Sequence, residues 1–281
     1  MADPKSYSGK EKELIEKINQ INDKIESAWQ KYREENPDAY GVKKTCGHET
    51  PDCTVPDGFY PNYTKQPIKI LFVGREAYDL TGADYIDVFI HHYLNGTTGP
   101  EDELRSINSD KFHKMLIKVA YGIIHNLAWD EILPASKICE DGKIFDRVSF
   151  AFMNLSKLSN DNTEKGHRQT DWALVNTSLN MTLQSENLIL EEISNLDPDL
   201  IICMNFERDR LQRVFGSALK KFDNDWLKYT IDINGKNVLL LDQWHFSAPG
   251  KSEGNDVYNP IYQCCIEQPE IKRLMGRIST R

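Results

Sequence analysis

The sequence predicts an α/β protein, a three-layer α/β/α sandwich around a mostly parallel, four-stranded central sheet. Four short, largely apolar runs have the length and continuity of buried parallel strands: 68–73, 148–153, 200–204 and 237–241. Stretches with helical periodicity separate them, as expected of helices that cover both faces of such a sheet. Asn234-Gly235, a strong hairpin signal before the last run, would add one antiparallel strand at an edge.

The first predicted element is an amphipathic helix over residues 10–35. Its apolar residues recur at helical spacing: Leu14, Ile18, Ile21, Ile25, Trp29 and Tyr32. Asn36-Pro37 marks its end. We expect this helix to pack on the main body; a partner-binding or dimerising helix is the alternative. The chain then divides into an N-terminal helical extension, 1–40, and one α/β domain, 41–281.

Further helices are expected between the strands, after an ordered loop that is rich in proline, glycine, aspartate and threonine. The apolar spacing places these helices around 80–94, 109–127, 172–196 and 206–215, and from about 257. A long polar loop, 156–171, follows the second strand. Its Lys157, Lys165, His167 and Arg168 either contact nucleic-acid phosphates or belong to an ordinary exposed loop.

The bulk composition is that of a globular protein: 281 residues, 40% hydrophobic and 27% charged. No apolar stretch approaches the roughly 20 residues that span a bilayer, and the first residues lack the apolar segment of a secretion signal. We therefore expect a cytoplasmic protein without a membrane partner. The net charge of −9 argues against a large, non-specific polyanion-binding surface but allows a local basic groove.

The six cysteines show no framework spacing, and without an export signal we expect them to be reduced thiols. Cys46, His48 and Cys53 lie close together in the sequence. However, the spacing Cys-x6-Cys matches neither common zinc sites nor iron–sulfur sites. We expect neither a metal nor a cofactor.

Polar side chains follow three of the predicted strands. Glu76 comes soon after the first strand, Asn154 directly after the second, and His245 just beyond the last. Carboxyl ends of parallel strands are where such folds place ligands. Each residue alone has a simpler explanation, as a solvated loop carboxylate, a strand-end amide or a core histidine. Together they predict one pocket that holds a carboxylate, an amide and an imidazole.

The order of these motifs resembles that of the uracil-DNA glycosylase superfamily over roughly residues 66–268. Residues 74–79, Gly-Arg-Glu-Ala-Tyr-Asp, are similar to the family's Gly-Gln-Asp-Pro-Tyr-His and Gly-Glu-Ala-Pro-Gly signatures. Residues 151–157 resemble its Leu-Leu-Leu-Asn and Asn-Leu-x-Lys motifs, 198–202 its third strand, and 245–249 its His-Pro-Ser-Pro loop.

Several positions depart from the family pattern. Glu76 replaces an aspartate, Ala77 a proline, and Asp79 the histidine that closes the first motif. Leu158 stands where the iron–sulfur group has a cysteine, so we expect no cluster. The altered first motif and the long polar loop suggest a substrate other than plain uracil.

The resemblance implies a monofunctional DNA glycosylase that flips out uracil or a modified pyrimidine and leaves an abasic site. Glu76 would stabilise the sugar cation and activate water, and His245 would stabilise the leaving base. Asn154 would pair with the base edge, Tyr78 would wall the pyrimidine, and Phe89 or Tyr85 would stack on it. The DNA backbone would be held by five residues: Gly74, Arg75, Ser247, Lys157 and Lys251.

Three alternatives remain open from the sequence. The chain could be a non-catalytic member of the same fold that binds nucleic acid or a protein. It could be a defence enzyme that removes a bulkier modified base from foreign DNA. It could also be an unrelated α/β enzyme acting on a small nucleotide or sugar. Single- and double-stranded DNA are equally compatible with the residues.

Overall fold

A computed structural model of the chain describes residues 7–39, 42, 52–161, 169–221 and 227–277. The helices are α1 (Gly9–Glu35), α2 (Tyr85–Asn95), α3 (Lys111–His125), α4 (Ala135–Ile138), α5 (Ile144–Arg147), α6 (Trp172–Thr182), α7 (Leu188–Leu196), α8 (Glu207–Phe215), α9 (Asn259–Glu267) and α10 (Pro269–Lys272). The strands are β1 (Gly58–Phe59), β2 (Ile70–Gly74), β3 (Thr97–Thr98), β4 (Arg105–Ser106), β5 (Ala151–Asn154), β6 (Leu200–Met204), β7 (Leu219–Lys221), β8 (Lys228–Ile233) and β9 (Lys236–Gln243).

The central sheet has the strand order β1-β5-β2-β6-β9-β8-β7. Its four middle strands, β5, β2, β6 and β9, are parallel, and the outer strands are antiparallel. The predicted α/β class is therefore confirmed, but the predicted number of four strands is wrong, because the described sheet has seven. The edge strands β1 and β7 are too short to give a periodic pattern.

The β8–β9 hairpin turns at Asn234-Gly235, as predicted. Both residues have positive φ, 54° and 78°. That backbone geometry is characteristic of a type I′ turn, which asparagine followed by glycine adopts readily. The hairpin fixes the register in which Ile233 pairs with Lys236.

Helices cover both faces of the sheet, and the alternation of side chains along β2 shows how. Ile70 and Phe72 enter one buried cluster with residues of α2, α3 and α9. Leu71 and Val73 enter a second cluster with residues of α1, α6, α7 and α8. A strand that is buried on both faces reads as a continuous apolar run, which is why β2 was recognisable in the sequence.

Helix α1 packs on the main body, the arrangement expected from its apolar stripe. Trp29 is fully buried in the cluster shared with α6 and α7. The helix begins at a capping box, in which the backbone N–H of Glu11 donates to the Ser8 hydroxyl and that of Ser8 to the Glu11 carboxylate. The predicted boundary between residues 40 and 41 lies outside the described residues.

The single helix predicted over 172–196 is two helices, α6 and α7. The backbone N–H of Leu190 donates to Asn187 Oδ1 at 2.8 Å, so Asn187 caps a new helix. Helix α6 has already ended at Thr182, so residues 183–187 separate the two helices although the apolar spacing continues across them. Among the described helices, none is long and apolar enough to cross a membrane.

Candidate functional site

A cavity of about 840 Å³ opens at the carboxyl ends of the parallel strands. Glu76, Asn154 and His245 all line it. The loops after β2, β5 and β9 bring these side chains together from distant parts of the chain, as the strand-end pattern predicted. The volume lies near the upper end of the range of small-ligand pockets, about 300–1,000 Å³.

Asn154 is the last residue of β5, and a backbone hydrogen bond holds it in place. Its N–H donates to Asp57 Oδ2 at 2.9 Å. Its side-chain nitrogen Nδ2 is buried and has no hydrogen-bond partner among the described residues. A buried amide without an acceptor is unfavourable by about 1–3 kcal/mol. The amide nitrogen is therefore suited to an acceptor on a ligand.

Gly74 is the register partner of Asn154 on the neighbouring strand. A Cβ at this position would lie 2.6 Å from Asn154 Oδ1 and 2.8 Å from Phe152 Cζ. The glycine therefore leaves the space that the asparagine amide occupies. Its predicted contact with a DNA phosphate stays a prediction.

Glu76 is buried and only partly satisfied. Its Oε1 accepts the backbone N–H of Asp171 at 2.8 Å and the amide of Asn160 at 3.3 Å. Its Oε2 is buried and meets no donor with full hydrogen-bond geometry in the described part of the chain, although the Tyr78 hydroxyl lies close enough to the carboxylate to lower its pKa. Burial raises the pKa of Glu76 to about 7, despite the opposing effect of the Asp171 N–H. Both protonation states are thus populated near neutral pH.

Tyr78 lines the cavity beside Glu76 and is half-buried. Burial, followed by the Glu76 charge, raises the pKa of its hydroxyl well above the ordinary value, so the phenol stays neutral. The backbone of Tyr78 also forms an isolated parallel bridge with Asn160. The tyrosine is therefore tied to the same segment that holds the Glu76 carboxylate.

His245 stacks on Phe112, with ring centroids 5.3 Å apart and an interplanar angle of 19°. The backbone N–H of Ser247 donates to His245 Nδ1 at 3.3 Å, and the Ser247 hydroxyl lies 2.8 Å from the same atom. Burial, helped by the nearby Arg75 charge, lowers the pKa of His245 to about 4. Because a backbone N–H only donates, Nδ1 accepts, and the neutral ring carries its proton on Nε2.

One side of the cavity is an aromatic wall. Tyr85 is buried and stacks on Phe152 at 4.3 Å with an angle of 16°. Phe89 is half-buried, 4.6 Å from Tyr85 and 4.3 Å from the buried His113. Both predicted stacking residues therefore line the cavity, and Phe89 keeps more accessible surface than Tyr85.

Arg75 also lines the cavity, together with Thr170, Trp172 and Asn205. Its Nε donates to Met204 O at 2.9 Å, and its two terminal nitrogens donate to Thr170 Oγ1 at 3.0 Å and Asn205 O at 3.2 Å. The guanidinium also lies 5.0 Å from the Trp172 ring centroid. Arg75 thus joins the ends of β2 and β6, and its predicted phosphate contact stays a prediction.

Lys157 does not face the cavity, and its predicted phosphate contact is wrong. The side chain is fully buried, with Nζ 2.8 Å from Asp57 Oδ2 and 2.6 Å from Glu192 Oε2. Burial raises the pKa of Asp57 to about 7, against the attraction of Lys157. Asp57, Lys157 and Glu192 form a buried ion cluster. The cluster is joined to the end of β5, because Asp57 also accepts the Asn154 N–H.

The last loop forms one rim of the cavity. Ser247 is exposed and lines the cavity. Lys251 lies farther along the loop, with Nζ 4.0 Å from the Trp244 ring centroid. Lys111 Nζ donates to Ala248 O at 2.9 Å and to Lys251 O at 2.8 Å, which fixes the loop against α3.

Some predictions concern residues that the structure does not describe. Cys46, His48, Lys165, His167 and Arg168 lie outside the described residues. Within the described ranges, no group of three or more histidine, cysteine, aspartate or glutamate side chains is arranged to hold a metal ion.

The sequence analysis missed several residues that line the cavity: Phe112, His113, Phe152, Trp172, Asn205 and Trp244. Asn205 directly follows β6, so the strand-end rule that identified Asn154 would also have found it. Phe112 and His113 belong to an amphipathic helix whose spacing indicated only a core-facing side. Nothing local distinguishes a cavity-lining aromatic residue from a core one.

Comparison with known proteins adds no assignment. No family model matches the chain, and no curated protein matches it significantly.

Proposed function

We propose that this protein is a monofunctional DNA glycosylase that hydrolyses the bond between a flipped-out pyrimidine and deoxyribose. One observation carries the proposal: Glu76 Oε2 and Asn154 Nδ2 are buried polar atoms without a partner in full hydrogen-bond geometry among the described residues. A buried polar atom is unfavourable unless a ligand or water satisfies it, and these two atoms lie on residues that line the same cavity. An acceptor–donor pair beside an aromatic wall suits a nucleobase attached to a sugar.

The proposed chemistry assigns the sugar side to Glu76. Water attacks the anomeric carbon as the carbon–nitrogen bond breaks, and the bonding electron pair leaves with the base. The ionised carboxylate stabilises the positive charge on the sugar and accepts the proton of the attacking water. A pKa of about 7 leaves much of the Glu76 population ionised at neutral pH.

His245 would stabilise the departing base. The neutral ring carries its proton on Nε2, because Nδ1 accepts from Ser247. A fixed N–H directed at a base carbonyl disperses the new negative charge without having to lose a proton. Phe112, stacked on the ring, holds its orientation.

Asn154 and Phe89 would recognise the base itself. The unpaired Nδ2 of Asn154 would donate to a carbonyl of the base edge, and the half-buried Phe89 would stack on its face. Gly74 serves this recognition indirectly, by leaving space for the amide.

The cavity volume favours a modified base over plain uracil. At about 840 Å³ it has room beyond a single pyrimidine ring. The additional space is bordered by hydrogen-bonding and aromatic residues, Thr170, Asn205 and Trp172. We therefore propose that a pyrimidine with a polar substituent, such as a hydroxymethyl or glycosyl group, is the preferred substrate.

A panel of end-labelled DNA strands tests the proposal. The strands carry uracil, hydroxymethylcytosine, glycosylated hydroxymethylcytosine or only unmodified bases, and alkaline cleavage reveals abasic sites. We expect cleavage at one of the modified bases. In Glu76→Gln the glutamine oxygen can still accept the Asp171 N–H, so we expect a rate about 10²–10⁴-fold lower with DNA binding retained. Absence of base release from every strand would refute the enzyme and leave a binding protein.

A further inference from the structure

Trp244 occupies an unusual place at the cavity rim. It lines the cavity, yet 42% of it is exposed. The other exposed large apolar residues in the described ranges, Leu104, Leu133 and Leu227, are absent from the cavity lining. Trp244 immediately precedes His245, the residue assigned to the leaving base, and both residues line the cavity.

The loop that carries Trp244 is held in place. The backbone N–H of Ala248 donates to His245 O at 2.8 Å, and Lys111 Nζ bonds the carbonyls of Ala248 and Lys251. Lys251 Nζ lies over the Trp244 ring, 4.0 Å from its centroid. An exposed indole on an ordered loop, with a cation against its ring, is suited to stacking on a nucleobase and attracting a neighbouring phosphate.

We propose that Trp244 stacks on the nucleobase next to the flipped one, and that the substrate is single-stranded DNA. This inference rests on the proposed function. In a duplex the flanking base is paired and already stacked, whereas in a single strand it is free to stack on an indole. A neighbouring phosphate would then lie within reach of Lys251.

The charge distribution supports stacking as the main source of affinity. The chain has a net charge of −9. Beside the cavity, Arg75 and Lys111 already donate to protein groups. Duplex binding depends on neutralising many phosphates, whereas stacking on an aromatic side chain needs few cations. The protein should therefore bind a single strand more tightly than the matching duplex.

Equilibrium binding of a labelled oligodeoxythymidylate of about 10 nucleotides tests this inference. We expect the protein to prefer the single strand to a duplex of equal length. Trp244→Ala should weaken single-strand binding by about 5- to 150-fold, and Trp244→Phe should restore most of the affinity. Leu133→Ala, which removes a side chain of similar exposure (47%) outside the cavity, is the matched control and should bind as the wild type does.

The outcomes separate this inference from the proposed function. If Trp244→Ala binds the single strand as tightly as the wild type, or if the wild type prefers duplex, the stacking role is refuted even when base release is observed. If Trp244→Ala loses single-strand binding and Trp244→Phe regains it, while no modified strand loses its base, the stacking role of Trp244 is supported and the glycosylase activity is refuted. If the wild type binds no single strand, the stacking role is refuted as well.

Discussion

Gly74 and Asn154 are register partners at the carboxyl ends of β2 and β5, and the missing side chain of one makes room for the amide of the other. The spacing explains why a glycine ends β2 at this point. It also links the backbone of β2 to the position of the Asn154 amide on β5. A substitution at Gly74 should therefore affect the site before it affects the rest of the sheet.

Gly74→Ala tests this link directly. The new Cβ would lie too close to Asn154 Oδ1, so the amide must move or the strands must separate. We expect the free energy of unfolding to fall by about 1–3 kcal/mol and base release to fall about 10-fold or more. Denaturant unfolding and the alkaline cleavage assay measure the two effects. Gly9→Ala, where the Cβ meets open space at the start of α1, should lower neither.

Lys157→Met should destabilise the protein by about 3–5 kcal/mol, because it leaves Asp57 and Glu192 buried without their cation. Lys31→Met is the control: Lys31 forms an exposed pair with Glu35, and we expect a change below about 0.5 kcal/mol. Urea unfolding compares the two. If Lys157→Met kept full stability, the buried ion cluster would not be what holds β5 in place.

If Glu76 acts in its ionised form as proposed, base release should rise with pH through about 7, because burial raises the pKa of Glu76 to that value. A rate profile between about pH 5 and about pH 9 measures this. A rate that is already constant from about pH 5 upward would place the pKa near the ordinary glutamate value of about 4 and contradict the buried environment.

The same carboxyl group should make stability depend on pH in the opposite direction. Its pKa is raised in the folded state, so its stabilising contribution is complete below the unfolded value of 4.5 and is lost as pH rises through about 7. Glu76→Gln removes this dependence. The difference in unfolding free energy between wild type and variant should therefore change by the order of 3 kcal/mol across that window. A pH-independent difference would show that Glu76 titrates normally.

Asn205→Gly should discriminate between substrates; glycine is chosen because Asn205 has a φ of 60°, which alanine adopts only with strain. Asn205 lines the cavity next to Arg75, which donates to its backbone carbonyl. We expect release of a glycosylated base to fall about 5- to 10-fold, the equivalent of one hydrogen bond, with uracil release unchanged. Competition between the two substrates in one reaction measures the ratio. Asn95→Ala, at the exposed end of α2, is the control.

Much of the fold could be predicted because the central strands are buried on both faces. β2 and β6 read as uninterrupted apolar runs, and the hairpin turn at Asn234-Gly235 was recognisable from two residues. β1 could not be predicted, since a strand of two residues is too short to show an alternation of apolar and polar side chains. The break between α6 and α7 depends on the Asn187 cap, a local choice that the continuing apolar spacing concealed.

The site was predictable to the extent that it follows strand ends. Glu76 and Asn154 were found in this way, and His245 by its position beyond the last strand. The role of Lys157 could not be judged, because its partners Asp57 and Glu192 come from distant segments and only folding brings them together. For the same reason, no local pattern separates the half-buried Phe89 from the buried Tyr85.

The buried group of one ammonium and two carboxylates has a thermodynamic consequence. Burial raises the pKa of Asp57 to about 7 from an ordinary value of 3.8. At a pH between these two values the folded protein therefore holds a proton that the unfolded chain releases. The enthalpy measured on melting must then include the enthalpy of protonating whichever buffer captures that proton. Calorimetric enthalpies recorded at the same mildly acidic pH in phosphate and in imidazole, whose protonation enthalpies differ, should consequently diverge.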